Sequence, residues 1–117
     1  MNSAPRQYCL TLNLRDDQDL IREYEELHRP GNVWPEIIES IRSSGIQDMQ
    51  IYRSGVRLVM VLTVTDDFSF ERKAKTDSEN PKVVEWERLM EKFQRADESG
   101  DSKWKPMKNI FNLQEHS

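Results

Sequence analysis

Apolar and polar positions alternate along YCLTLNL. Tyr8, Leu10, Leu12 and Leu14 fall on one face and Cys9, Thr11 and Asn13 on the other, the period of a half-buried strand. The period then turns helical. Leu20, Ile21, Tyr24, Leu27 and His28 form one stripe behind Asp16 and Asp17, which can cap a helix, and Pro30-Gly31 ends it. A second helix is expected from about Trp34-Pro35, carrying Ile37, Ile38 and Ile41 inward and stopping at Gly45. IQDMQIYRSGVRLVMVLTV has β-branched and aromatic residues on both sides of Ser54-Gly55, which predicts a hairpin. Its second run, Leu58 to Val64, is apolar at nearly every position and reads as a central strand covered on both faces. Asp66 and Asp67 lead into a short helix containing Phe68, Phe70 and Ala74, and NPKVVEWERLMEKFQ predicts a longer one with Val83, Trp86, Leu89, Met90 and Phe93 inward. Asp97 to Ser102 reads as a polar loop, and MKNIFNL as a last strand.

The resulting order, βααββααβ, predicts an α+β fold: a ferredoxin-like four-stranded antiparallel sheet with helices on one face. A chain of 117 residues has room for one core, so residues 1–117 are expected to form a single domain. The uncovered sheet face needs a partner. Strands apolar on both sides are most economically buried by a second copy, which predicts a homodimer.

Charge narrows the partners. A formal net charge of -4 and a pI near 5.2, with no Lys/Arg cluster in any segment, argue against nucleic acid. No apolar run is long enough to cross a bilayer, and MNSAPRQYCL lacks the basic start and apolar centre of a secretion signal, so the expected location is cytoplasmic, without a membrane. The single cysteine, Cys9, cannot form an internal disulfide and is expected to be a small buried hydrophobe.

The candidate chemistry is concentrated at the end of the first helix. Tyr24 and His28 are four residues apart, so phenol and imidazole lie one above the other on the inward face. Such residues are ordinarily core side chains with satisfied polar tips. Here both sit beside a Pro-Gly loop that can leave an opening, and histidine exchanges protons near neutral pH. Trp34 and Trp86 fit a core reading too. An indole also stacks on the carbon-hydrogen face of a sugar, which suits a carbohydrate pocket beside the His/Tyr pair. No His/Cys/carboxylate group has metal-ligand spacing, no serine sits in a nucleophile elbow, and no glycine-rich phosphate loop is present, so neither a metal nor a cofactor is expected. His116, near the C-terminus, is expected to be frayed.

EYEELH followed by VWPEI, then SGIQDMQIYRSGVRLVMVLTV, AKTD, EWERLM and MKNIFNL resemble the L-rhamnose mutarotase family over nearly the whole chain. The most specific part is the Tyr-x-x-x-His pair leading into Trp-Pro-Glu. The resemblance implies a dimeric α+β barrel that interconverts the anomers of a 6-deoxy-L-sugar, a monosaccharide, without metal or cofactor. It further implies that His28 is the proton donor and Tyr24 a sugar contact.

Two positions depart from rhamnose-type relatives: Met49 stands in place of a strand tyrosine, and Trp86-Glu87 in place of a Trp-Trp pair. Extra residues between His28 and Trp34, and between Asp77 and Trp86, can reshape the rim. DMQIYR, NPKVVEWE and KW...IFNL look closer to relatives associated with L-fucose. The expected substrate contacts are therefore Tyr24, Met49, Trp86, Glu87 and Trp34, around His28. Two alternatives stay open: a cofactor-independent oxygenase, a class that the same dimeric α+β architecture hosts, and a noncatalytic small-ligand-binding module.

Overall fold

Why the chain changes period where it does is visible in its caps. The computed structural model of the protein describes residues 6–96 and 103–116. Strand β1 (Arg6–Asn13) ends just before Asp17, whose side chain accepts from the backbone N–H of Asp19 and Leu20 at 2.9 and 3.2 Å and so starts helix α1 (Gln18–Leu27). Pro35, with no N–H to leave unpaired, opens α2 (Pro35–Ser43). Gly45, at φ 98°, turns the chain into β2 (Ile46–Ser54), and Gly55, at φ 60°, makes the tight turn to β3 (Arg57–Val64). Ser69 and Asn80 cap α3 (Phe70–Ser78) and α4 (Pro81–Glu91). A two-residue strand, β4 (Lys105–Pro106), follows.

All strand pairs are antiparallel, in the order β2-β3-β1-β4, which is the ferredoxin-like arrangement. An irregularity between Ile46 and Asp48 resets β2 so that Ile46 and, further on, Met49 and Ile51 lie on the same face as Leu62 and Met60. That face meets the helices. Two clusters fill the space between: one around Leu12, Leu58, Tyr24, Trp86 and Phe93, the other around Leu10, Ile46, Leu62, Val64 and Phe68. Ile41 of α2 and Trp104, just before β4, pack against both.

Four expectations are corrected. MKNIFNL is not the last strand: pairing is made by Lys105 and Pro106 against Thr11 and Leu10, and Ile110, Phe111 and Leu113 are exposed. Cys9 is exposed rather than buried, because it lies opposite Val61 on the sheet face away from the helices. The same face leaves Val59, Val61 and Thr63 of β3 half-buried, so this strand is covered on one side only within a single chain. Phe68 precedes α3 instead of lying in it, and is buried from the turn. His116, for its part, stacks on Phe111 with ring centroids 5.0 Å apart. The expected loop at 97–102 lies outside the described residues.

Candidate active site

Helix α1 stops at Leu27, and His28 is its C-cap, its backbone N–H donating to Glu25 O at 3.1 Å. The capping geometry leaves the imidazole pointing back along the helix. Its Nδ1 lies 2.7 Å from the carbonyl oxygen of Tyr24. A carbonyl can only accept, so Nδ1 carries the hydrogen and Nε2 of the neutral ring presents its lone pair.

Around it stand aromatic rings from three segments. Tyr24 is 4.2 Å from the imidazole by centroid, Trp86 of α4 meets it edge-on at 5.7 Å, and Trp34 meets Trp86 at 5.1 Å. Phe93 backs Tyr24 at 5.8 Å, and the Lys82 ammonium lies 5.8 Å over Trp34. The wall is apolar, and electrostatics follow from that. Burial pushes the His28 imidazole below its usual range, partly offset by the bond to Tyr24 O, which favours the charged ring. Burial pushes the Tyr24 phenol far above its usual range, so it stays a protonated donor. No described residue hydrogen-bonds its hydroxyl.

Four of the six expected site residues are thus brought together: Tyr24, His28, Trp34 and Trp86. The other two stand apart from the imidazole. Met49 packs in the second core cluster, near Leu62. Glu87 lies on the flank of α4, about 100° around the helix from Trp86. It faces α3, where Lys73 Nζ is 2.5 Å from Asp77 Oδ2 and Ser40 Oγ donates to Asp77 Oδ1 at 3.3 Å. Partial burial, and then the negative charge of Asp77, push the Glu87 carboxyl up, while Lys73 and Lys103 pull it down.

Trp104 and the Lys73-Asp77 pair were not among the expected residues. A third tryptophan in the polar stretch SKWKP, and Asp77 closing AKTD, were the available signals. An open groove of about 710 Å³ runs along α2, lined by residues including Gly31, Val33, Ile38 and Arg42, and contains none of the expected site residues. Among the described residues no three His, Cys, Asp or Glu side chains converge as a metal site, and no helix is long and apolar enough to cross a membrane.

Comparison with known proteins gives this geometry a context. An L-fucose mutarotase of Xanthomonas campestris pv. campestris is 42% identical over 112 residues, covering 94% of this chain and 90% of that protein. A UPF0734 protein of Dictyostelium discoideum is 34% identical over 115 residues, covering 92% and 90%. The crystal structure of an L-rhamnose mutarotase from Formosa agariphila superposes with a TM-score of 0.68 at 17% identity, over 92% of this chain and 97% of that one, a likeness of fold. The family model for L-rhamnose mutarotase matches residues 7–113, and the chain belongs to the L-rhamnose mutarotase family.

Proposed function

We propose that the protein interconverts the α and β anomers of a 6-deoxy-L-sugar, L-fucose in preference to L-rhamnose, as a cytoplasmic homodimer. The observation that carries the chemistry is the His28 imidazole, fixed through Nδ1 so that Nε2 is the working nitrogen. Mutarotation needs only proton traffic: one proton leaves the anomeric hydroxyl, one reaches the ring oxygen, the ring opens, and closure on the other face of the aldehyde gives the second anomer. His28 serves one transfer, and Tyr24 donates to a sugar hydroxyl. Trp86 and Trp34 supply stacking faces. Positioned acid-base groups typically contribute about 10²–10⁴-fold. The mutarotase names among the matches favour this reading over the oxygenase and the noncatalytic module.

The preference for L-fucose rests on the 42% identity to an L-fucose mutarotase and on the two departures, which stand outside the aromatic cluster around His28. Met49, on the helix-facing side of β2, offers no strong donor, and Glu87 offers a carboxylate where rhamnose-type relatives have an indole. A pocket group left unpaired by one epimer discriminates against it. Saturation-transfer NMR on L-fucose, L-rhamnose and their epimers tests this. The wild type is expected to exchange L-fucose anomers faster, and Met49→Tyr with Glu87→Trp to move the preference toward L-rhamnose. A wild type that clearly prefers L-rhamnose would refute the specificity while leaving anomer exchange standing.

A further inference from the structure

Among the described residues six large apolar side chains stay exposed, and four of them, Met107, Ile110, Phe111 and Leu113, fall within one short segment that follows β4. That segment leaves the body of the domain. Met107 N–H donates to Cys9 O at 2.8 Å, and beyond it the described hydrogen bonds of the segment are internal. Asn109 Oδ1 accepts from the Phe111 N–H at 3.1 Å, and Asn112 Oδ1 accepts from the Gln114 N–H at 2.9 Å at the start of a helical turn, Leu113–Glu115. Its shape is its own. The radius of gyration is 15.4 Å, where a compact chain of this length has about 13 Å, and the molecule is 47 Å long against 30 Å across, as a projecting arm makes it.

The opposite edge of the sheet is open. The order β2-β3-β1-β4 gives β2 a neighbour on one side only, so its outer N–H and C=O groups face no described strand. Such an edge is ordinarily paired or covered. We propose that residues 107–115 are an exchanged arm, which crosses to a second copy of this chain and lies along the outer edge of that copy's β2, while the partner's arm does the same in return. The inference rests on the homodimer of the reading above and goes beyond face-to-face packing of the sheets, because it assigns what closes each seam between them.

The topology supplies the direction. When two outward faces stack about a two-fold axis parallel to the strands, each β4 comes over the partner's β2, about 10 Å away, and strand directions are kept. β4 opposes β1, β1 opposes β3 and β3 opposes β2, so the arm that continues β4 runs antiparallel to the partner's β2. The levels match too. Pro106 pairs with Leu10, Leu10 with Met60 and Met60 with Ile51, so the arm starts level with Ile51 and runs toward Ile46, passing Asp48 with its own Lys108. Extended, residues 107–115 span about 30 Å, several times the gap. An axis across the strands would instead lay β2 over β2 and β4 over β4. Each arm would then meet the other arm, Lys108 against Lys108, and both β2 edges would stay open.

The test reads contacts between copies directly, in the full chain. A nitroxide is attached in Gln114→Cys, with Cys9→Ser so that the label has one site, and this protein is mixed with isotope-labelled wild type, so that amide broadening reports on the partner alone. Broadening should be strongest at residues 45–49, the start of the partner's β2. Alongside it, Ile110→Ser with Phe111→Ser removes apolar groups that are exposed in the single chain, so it should leave the fold intact and weaken the dimer about tenfold or more in sedimentation. Broadening strongest at Val33 and Ile38 beside the α2 groove, broadening strongest at the partner's own arm, or none at all in a dimeric sample would overturn the proposal. So would a double variant that dimerises like the wild type. Each of these results leaves the homodimer and anomer exchange standing, whereas a monomeric wild type would remove the homodimer and this inference together.

Discussion

At the scale of single residues, the helix period is what makes the candidate site legible. Tyr24 and His28 are four apart on an apolar stripe, and the structure stacks their rings at 4.2 Å. Spacing alone does not reveal that α1 ends one residue before His28. The C-cap geometry, with Nδ1 turned onto Tyr24 O, depends on how the chain leaves the helix through Pro30 and Gly31. The two indoles illustrate the limit further. Either could have been plain core, and only tertiary packing of α2 against α4 brings Trp34 and Trp86 to 5.1 Å. Tyr24→Phe separates packing from chemistry at this site. The ring stays against Phe93 and His28, and the deleted hydroxyl bonds no described residue. Thermal unfolding should therefore change by no more than about 0.5 kcal/mol, while anomer exchange falls markedly. Loss of stability with full activity would make Tyr24 a structural aromatic only.

At the scale of elements, those with strong local signals read correctly, and the miss has an identifiable cause. β1, the β2-β3 hairpin and α4 each combine a clear hydrophobic period with a cap or turn. MKNIFNL has strand-like alternation, yet Ile110 and Phe111 are 88% and 64% exposed. β4 is instead a two-residue bridge containing a proline, too short to have a period and held by Met107 N–H donating to Cys9 O at 2.8 Å. The half-buried pair at Lys73 and Asp77 was equally illegible, because its spacing is that of an ordinary solvated helix pair and its burial comes from α2. The cap of α4 can be tested directly. Asn80 accepts from the N–H of Lys82 and Val83 at 3.1 and 3.5 Å, so Asn80→Ala should cost about 0.5–2 kcal/mol in chemical denaturation. No change would mean that packing of Val83 and Trp86 alone holds that helix start.

At the scale of the whole molecule, one face of the sheet is covered by helices and the other presents Cys9, Val59, Val61 and Tyr52. Apolar side chains in such a row, with Ile110 and Phe111 also exposed, suit burial against a second copy. Sedimentation should find a homodimer, and Val61→Asp, in the middle of that face, should give folded monomers. A monomeric wild type would contradict sheet-to-sheet pairing. The catalytic expectations depend on the imidazole at the end of α1 being the group that moves the proton. The most direct measurement is L-fucose anomer exchange by saturation-transfer NMR, with wild type and His28→Ala at equal concentration and with folding checked by circular dichroism. Removing the acid-base group is expected to lower the catalysed rate by about 10²–10⁴-fold, toward the spontaneous rate. A folded His28→Ala protein exchanging anomers as fast as the wild type would contradict it.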